Sequence, residues 1–132
     1  MIFIDSNIPM YLVGADHPNK PIARARLEMA IVENEPLVTD AEVLQELLHR
    51  YVAIGRHDAI GPAWDALVGV VDVIHPIEIE DVTRARRLVG SSGGLSARDA
   101  VHLAVMQRRG ITRILSFDSG FDGILGIERI GA

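Results

Sequence analysis

The chain has no cysteine, one tryptophan, one lysine and only 5% aromatic residues, and each scarcity removes a class of function. Without cysteine there is neither a disulfide framework nor a thiolate metal site, and the composition suits a reducing, cytoplasmic setting. The lone lysine, Lys20, lies early in the chain, which argues against a phosphoacceptor signalling domain, where a late lysine accompanies acids at strand ends. Few aromatics, with Trp64 alone of its type, argue against a stacking platform for single-stranded nucleic acid. No apolar run approaches the roughly 18 residues of a membrane span, and the N-terminus passes from an apolar run straight into an acid, so no membrane association is expected. His17, His49, His57, His75 and His102 are scattered, without a His-Glu-x-x-His motif or a pair four residues apart, which disfavours a histidine metal site.

What remains is an apolar chain, 48% hydrophobic over 132 residues, large enough for a single domain over residues 1–132 with its own core. Met1 to Ile4 reads as a short buried strand, Pro36 to Thr39 as a second, Val70 to Ile74 as a third and Ile111 to Leu115 as a fourth, with a last edge strand near Gly126 to Ile130. Between them lie helical patterns: a short one through Val13, capped by Ser6 or Asp5 with Pro9 in its first turn, then Pro21 to Asn34, Ala41 to Ile54, His57 to Gly69, Asp81 to Leu88 and Ala97 to Arg109. The clearest is Ala41 to Ile54, with Leu44, Leu47, Leu48 and Tyr51 at i, i+3, i+4 and i+7. A flexible stretch, Gly90 to Gly94, separates the last two helices. Such alternation, with strands too short and apolar to be one-faced, predicts a three-layer α/β/α sandwich around a short, mainly parallel sheet.

The net charge of −5 is unevenly spread. Residues 1–80 carry 5 basic against 13 acidic side chains, whereas residues 81–113 carry 7 arginines against 2 acids. Arginine pairs bidentately with phosphate, so this block supports a nucleic-acid partner if the fold clusters it.

The acids stand at telling places. Asp5 closes the first strand, Asp118 follows the fourth within Ser116-Phe117-Asp118-Ser119-Gly120-Phe121-Asp122, and parallel strands present ligand sites at those ends. Asp99 opens a helix and Glu46 lies within one. Each has a structural account as well: Ser96-Ala97-Arg98-Asp99 matches a capping box, Thr39-Asp40-Ala41-Glu42 another, Glu46 can pair with Arg50 one turn on, and Asp118 and Asp122 suit turns.

Taken in order, the apolar strand ending in Asp-Ser-Asn, the helical Glu-Leu-Leu, Ser-Ala-Arg-Asp-Ala-Val-His-Leu-Ala and Ser-Phe-Asp-Ser-Gly-Phe-Asp resemble the PIN-domain nucleases nearly end to end, and among them the small toxins of the VapBC toxin–antitoxin type. The resemblance implies an acidic metal site of Asp5, Glu46, Asp99 and Asp118, with Asp122 as an auxiliary metal ligand and Ser6, Asn7 and Ser116 as polar neighbours. Glu42, one turn before Glu46, remains an alternative second acid. It also implies endoribonuclease activity on an RNA substrate with 3′-hydroxyl and 5′-phosphate products, a cognate antitoxin whose basic tail lies over the site, and a homodimer. A housekeeping RNA-processing nuclease and a degenerate binding domain are the alternatives.

Charge supplies the chemistry. Four carboxylates about 5 Å apart repel by about 3 kcal/mol per pair at an effective dielectric of 20, and a cation relieves this. Oxygen-only donors select Mg²⁺, with Mn²⁺ as substitute, over zinc, and point to phosphodiester hydrolysis by an activated water. Asp5 and Asp99 are the expected direct ligands and Asp118 a ligand directly or through water; Glu46 is expected to position and deprotonate the attacking water or to reach the metal through one.

Overall fold

The computed structural model describes residues 1–91 and 94–131. β1 (Ile2–Ile4) is apolar throughout and buried throughout, the pattern of a strand covered on both faces. It pairs with β2 (Leu37–Asp40) on one side and β4 (Arg113–Leu115) on the other. β3 (Val73–His75) and β5 (Glu128–Ile130) complete a sheet of order β3-β2-β1-β4-β5 in which every pairing is parallel.

α1 (Asn7–Val13) and α2 (Asn19–Val32) connect β1 to β2, α3 (Ala41–Ala53) and α4 (His57–Val68) connect β2 to β3, and α5 (Ile79–Ser91) and α6 (Ala97–Arg109) return the chain to β4. A 3-10 turn, Ser119–Phe121, precedes β5. The chain therefore builds outward from β1 through β2 to β3, then reverses to the opposite side at β4. Right-handed crossovers place the helices before and after that reversal on opposite faces, giving the expected three layers. The reversal leaves a crevice between the carboxyl ends of β1 and β4.

The core gathers Phe3, Ile4, Ile8, Leu47, Leu67, Ile114 and Phe121 around the sheet, while Ala85, Ala100 and Ala104 let α5 and α6 approach closely. None of the described helices is long and apolar enough to cross a membrane.

Several expectations shift in detail. β3 begins at Val73 because Val70 and Val71 fold back onto Leu67 as the end of α4, and its exposed side chains make it a true edge. α2 starts two residues before Pro21, which the first turn of a helix tolerates. α5 runs beyond Leu88 to Ser91, and the rest of the expected Gly/Ser separator includes residues 92 and 93, outside the described ones. The second capping box is displaced by one residue: Asp40 caps α3 by accepting from Val43 N–H at 2.9 Å, while Thr39 donates to the Ile4 carbonyl. Ser6 does not cap α1 with its side chain.

The most consequential shift is rotational. α3 buries Val43, Leu47 and Tyr51 and leaves Leu48 40% exposed, so its inner stripe is turned from the expected one by about half of the angle between successive residues. Glu46 thereby comes to the flank of the buried face.

Phe121, fully buried one turn after Asp118, ties the acidic turn to the core. Phe121→Ala is expected to cost about 3–5 kcal/mol of stability, read as a lowered midpoint in denaturant unfolding.

Candidate metal centre

Asp5 leaves β1 at the crevice, its N–H bonded to the Leu115 carbonyl of the neighbouring strand. One step after β4, the buried Ser116 hydroxyl donates to Asp5 Oδ2 at 2.6 Å and accepts from Asn7 Nδ2 at 3.2 Å and from the Asp118 N–H at 3.0 Å. A single hydroxyl thus links both strand-end acids. Asp5 Oδ1 accepts from Ser6 N–H at 2.7 Å, and Asp118 Oδ1 accepts from Gly120 N–H at 2.8 Å.

Asp99 enters from the first turn of α6. Ser96 caps that helix, accepting from the Asp99 N–H at 3.1 Å, as the capping motif requires. A methyl group built on Gly120 would lie 3.2 Å from Asp118 Oδ1 and 3.6 Å from Asp99 Oδ2, so these two carboxylates border one cradle that glycine leaves open. Glu46 closes the set: its Oε2 accepts from the Ser6 hydroxyl and its Oε1 meets His102 Nε2, both at 2.6 Å.

Asp5, Glu46, Asp99 and Asp118 are therefore brought to one end of the sheet. Asp122, the expected auxiliary ligand, has both its oxygens engaged by Arg129, at 2.7 and 3.1 Å. Glu42 stays outside the network, 4.0 Å from Arg98; the inward carboxylate of α3 is Glu46.

Electrostatics divides the acids into two kinds. Burial, then the charges of Asp5 and Asp118, push Asp99 up to about 6. Burial also raises Asp5, with Glu46 adding to it, against the opposing pull of His102 and Ser116. Glu46 feels burial too, but the hydrogen bond and charge of His102, with Ser6 and Arg98, outweigh it and hold its carboxyl below the usual range. At Asp5 and Asp99 burial and like charge thus outweigh the pull of His102, whereas Glu46 has a directly bonded counter-charge.

That counter-charge is His102, fully buried between Asp40 Oδ2 on Nδ1 at 2.8 Å and Glu46 on Nε2. Burial opposes its protonation, yet the two carboxylates raise its pKa well above the ordinary value. The expectation of scattered histidines needs correction here, because ligand atoms of His102, Asp5 and Glu46 lie within 4.8 Å of one another. Both ring nitrogens are nonetheless committed to carboxylates, and an imidazolium has no lone pair for a metal. The donors available to a cation are carboxylate oxygens of Asp5, Asp99 and Asp118, a set suited to a hard divalent ion.

From the sequence His102 is one of five scattered histidines and Asp40 a member of a capping box, and neither is expected in the site. One signal was present: Asp99 and His102 stand at i and i+3, neighbours on one helix face.

A parallel α/β domain whose acids meet at the switch point of its sheet has the architecture of the acidic nuclease domains. The chain belongs to the PIN-domain family, whose model matches residues 2–124. It is 59% identical to Ribonuclease VapC13 of Mycobacterium tuberculosis over 130 residues, covering 98% of this chain and 99% of that protein. It is 48% identical to Ribonuclease VapC23 of the same species over 118 residues, 89% of this chain and 93% of that one. In fold it is similar to the crystal structure of VapC20 of M. tuberculosis, a toxin that cleaves the sarcin–ricin loop, with a TM-score of 0.76 and 21% identity over 96% of this chain and 98% of that one. The VapBC2 complex of Rickettsia felis gives 0.75 and 16%, covering 98% of both chains.

His102→Ala leaves Asp40 and Glu46 without their shared cation in a buried setting. The expected loss is about 3–5 kcal/mol, measured by urea unfolding and larger than that of an alanine at exposed His49.

Proposed function

We propose that this chain is a metal-dependent endoribonuclease, the toxin of a type II toxin–antitoxin pair, which hydrolyses RNA phosphodiester bonds. The observation that carries the reading is the convergence of Asp5, Asp99 and Asp118 on one crevice, where burial and neighbouring carboxylates raise Asp5 and Asp99, in a chain 59% identical to a named ribonuclease. Relief of that repulsion is what a divalent cation offers, and Mg²⁺, with Mn²⁺ as substitute, fits oxygen donors.

Asp5, Asp99 and Asp118 would hold the ion. The chemistry it supplies when bound is neutralisation of phosphate charge and a lowered pKa of water. Glu46 has a different duty. His102 and Ser6 occupy one lone pair on each of its oxygens and keep it ionised, so it is an anchored proton acceptor that orients the attacking water. Because water is the nucleophile, the ribose 2′-hydroxyl takes no part, and the products carry 3′-hydroxyl and 5′-phosphate ends. Ser116 and Asn7 keep Asp5 in place while the backbone turn at Gly120 aims Asp118.

The partner follows from the same charge. Solved neighbours include VapBC toxin–antitoxin complexes, and a basic side chain from an antitoxin tail would neutralise these acids in place of the cation. A homodimer and a cytoplasmic location belong to the same reading.

Two measurements test it. Asp5→Asn and Asp99→Asn proteins should lose Mg²⁺-dependent cleavage of RNA on denaturing gels by more than about 100-fold, the scale of an electrostatic group lost from a reacting centre; retained cleavage sinks the assignment. The second follows from Asp99, whose folded pKa lies above its unfolded one. Its contribution to stability is present at low pH and is lost as pH rises from about 4 through about 6. Mn²⁺ should therefore raise the thermal midpoint more at pH 7.5 than at pH 5, and Gly120→Ala, which places a methyl between Asp99 and Asp118, should diminish the rise. Equal shifts at both pH values contradict this.

A further inference from the structure

Beside Glu46 and Ser6 a groove of about 590 Å³ continues away from the acids, between α1 with its following loop and the second half of α3. That volume lies in the range of small-ligand sites. Its walls concentrate what the chain otherwise lacks. Tyr11 is braced edge-on by Phe117, with ring centres 5.2 Å apart at 80°, and lies 4.7 Å from the His17 ring. His17 Nδ1 accepts from Asn19 N–H at 3.0 Å, so in the neutral ring Nε2 bears the proton as a donor. Tyr51 and the stems around it supply an apolar floor.

Two arginines border the same groove, Arg50 on α3 and Arg98 at the start of α6. Arg50 makes no ion pair among the described residues, and the carboxylate paired with Arg98, Glu42, stands 4.0 Å away. These guanidinium groups are available to phosphate. A braced ring, a ring N–H donor and two such cations, continuous with the acids, match the parts of a nucleotide: a flat base and the phosphates beside it.

We infer that this groove seats the unpaired base of the nucleotide adjoining the scissile phosphate, stacked on Tyr11, with Arg50 and Arg98 on the flanking phosphates. The inference rests on the ribonuclease reading above and adds a determinant of sequence preference. Scarcity of aromatics excludes a long stacking platform, and one base on one braced ring does not require one.

The test has two arms. In the first, Asp5→Asn protein is titrated with the four ribonucleoside 5′-monophosphates and with ribose 5-phosphate, and NMR follows the ring signals of Tyr11 and His17. At least one nucleotide should shift them while ribose 5-phosphate does not; if all the nucleotides leave them unmoved and a basic peptide moves them, the groove is a protein-binding surface and the proposal is overturned. In the second, an RNA that the parent cleaves carries an abasic residue on either side of the cut bond. At one of the two positions the abasic change and Tyr11→Leu should each raise KM about tenfold, the scale of one stacked base, and together no more than either alone. Tyr11→Phe should keep the parent's KM. Additive losses, or none, overturn the groove while leaving the nuclease intact, whereas absence of any RNA cleavage by the parent removes the reading on which it rests.

Discussion

Repulsion among carboxylates at the end of a short parallel sheet is the constraint around which this molecule is arranged. Asp5, Asp40, Glu46, Asp99 and Asp118 occupy a small region, and Asp5 and Asp40 are almost wholly buried. Burying like charges without compensation is costly. The chain compensates part of the set from within, by placing His102 between Asp40 and Glu46. At Asp5 and Asp99 burial and neighbouring carboxylates outweigh the more distant pull of that cation, and under the proposed function these are the acids that receive a further positive charge.

The fold makes this division possible. Reversal of strand order at β1 and β4 opens the crevice, Ser116 fastens the two strand ends to each other, and Asp40 serves both as cap of α3 and as anchor of His102. A side chain that terminates one element and fixes another couples the helix start to the position of Glu46. The Ser6 hydroxyl, left free of capping duty by α1, goes to Glu46 instead.

Much of this was legible in the residues. Asp5 and Asp118 could be read because each follows an apolar run that must be a buried strand, and Asp99 because the capping serine marks where its helix begins. The parallel, three-layer fold followed from strands without polar alternation. What escaped depends on distance in sequence. His102 is 62 residues from Asp40 and 56 from Glu46, so no local pattern announces the strut. The inward turn of Glu46 hangs on which of several leucines α3 buries, a matter of helix rotation that periodicity leaves loose. The pairing of Asp122 with Arg129 is likewise invisible locally, because Arg129 lies on β5, whose place beside β4 is set only when the sheet assembles.

Under the proposed function Asp5, Asp99 and Asp118 together hold a divalent cation while His102 stays bound to Glu46. A crystal structure grown with Mn²⁺, with the metal located by its anomalous scattering, tests it most directly. The expected result is a peak coordinated by oxygens of Asp5, Asp99 and Asp118, with the contact between His102 Nε2 and Glu46 intact. A peak ligated by the His102 imidazole, or one held at Asp122 away from the crevice, would contradict it.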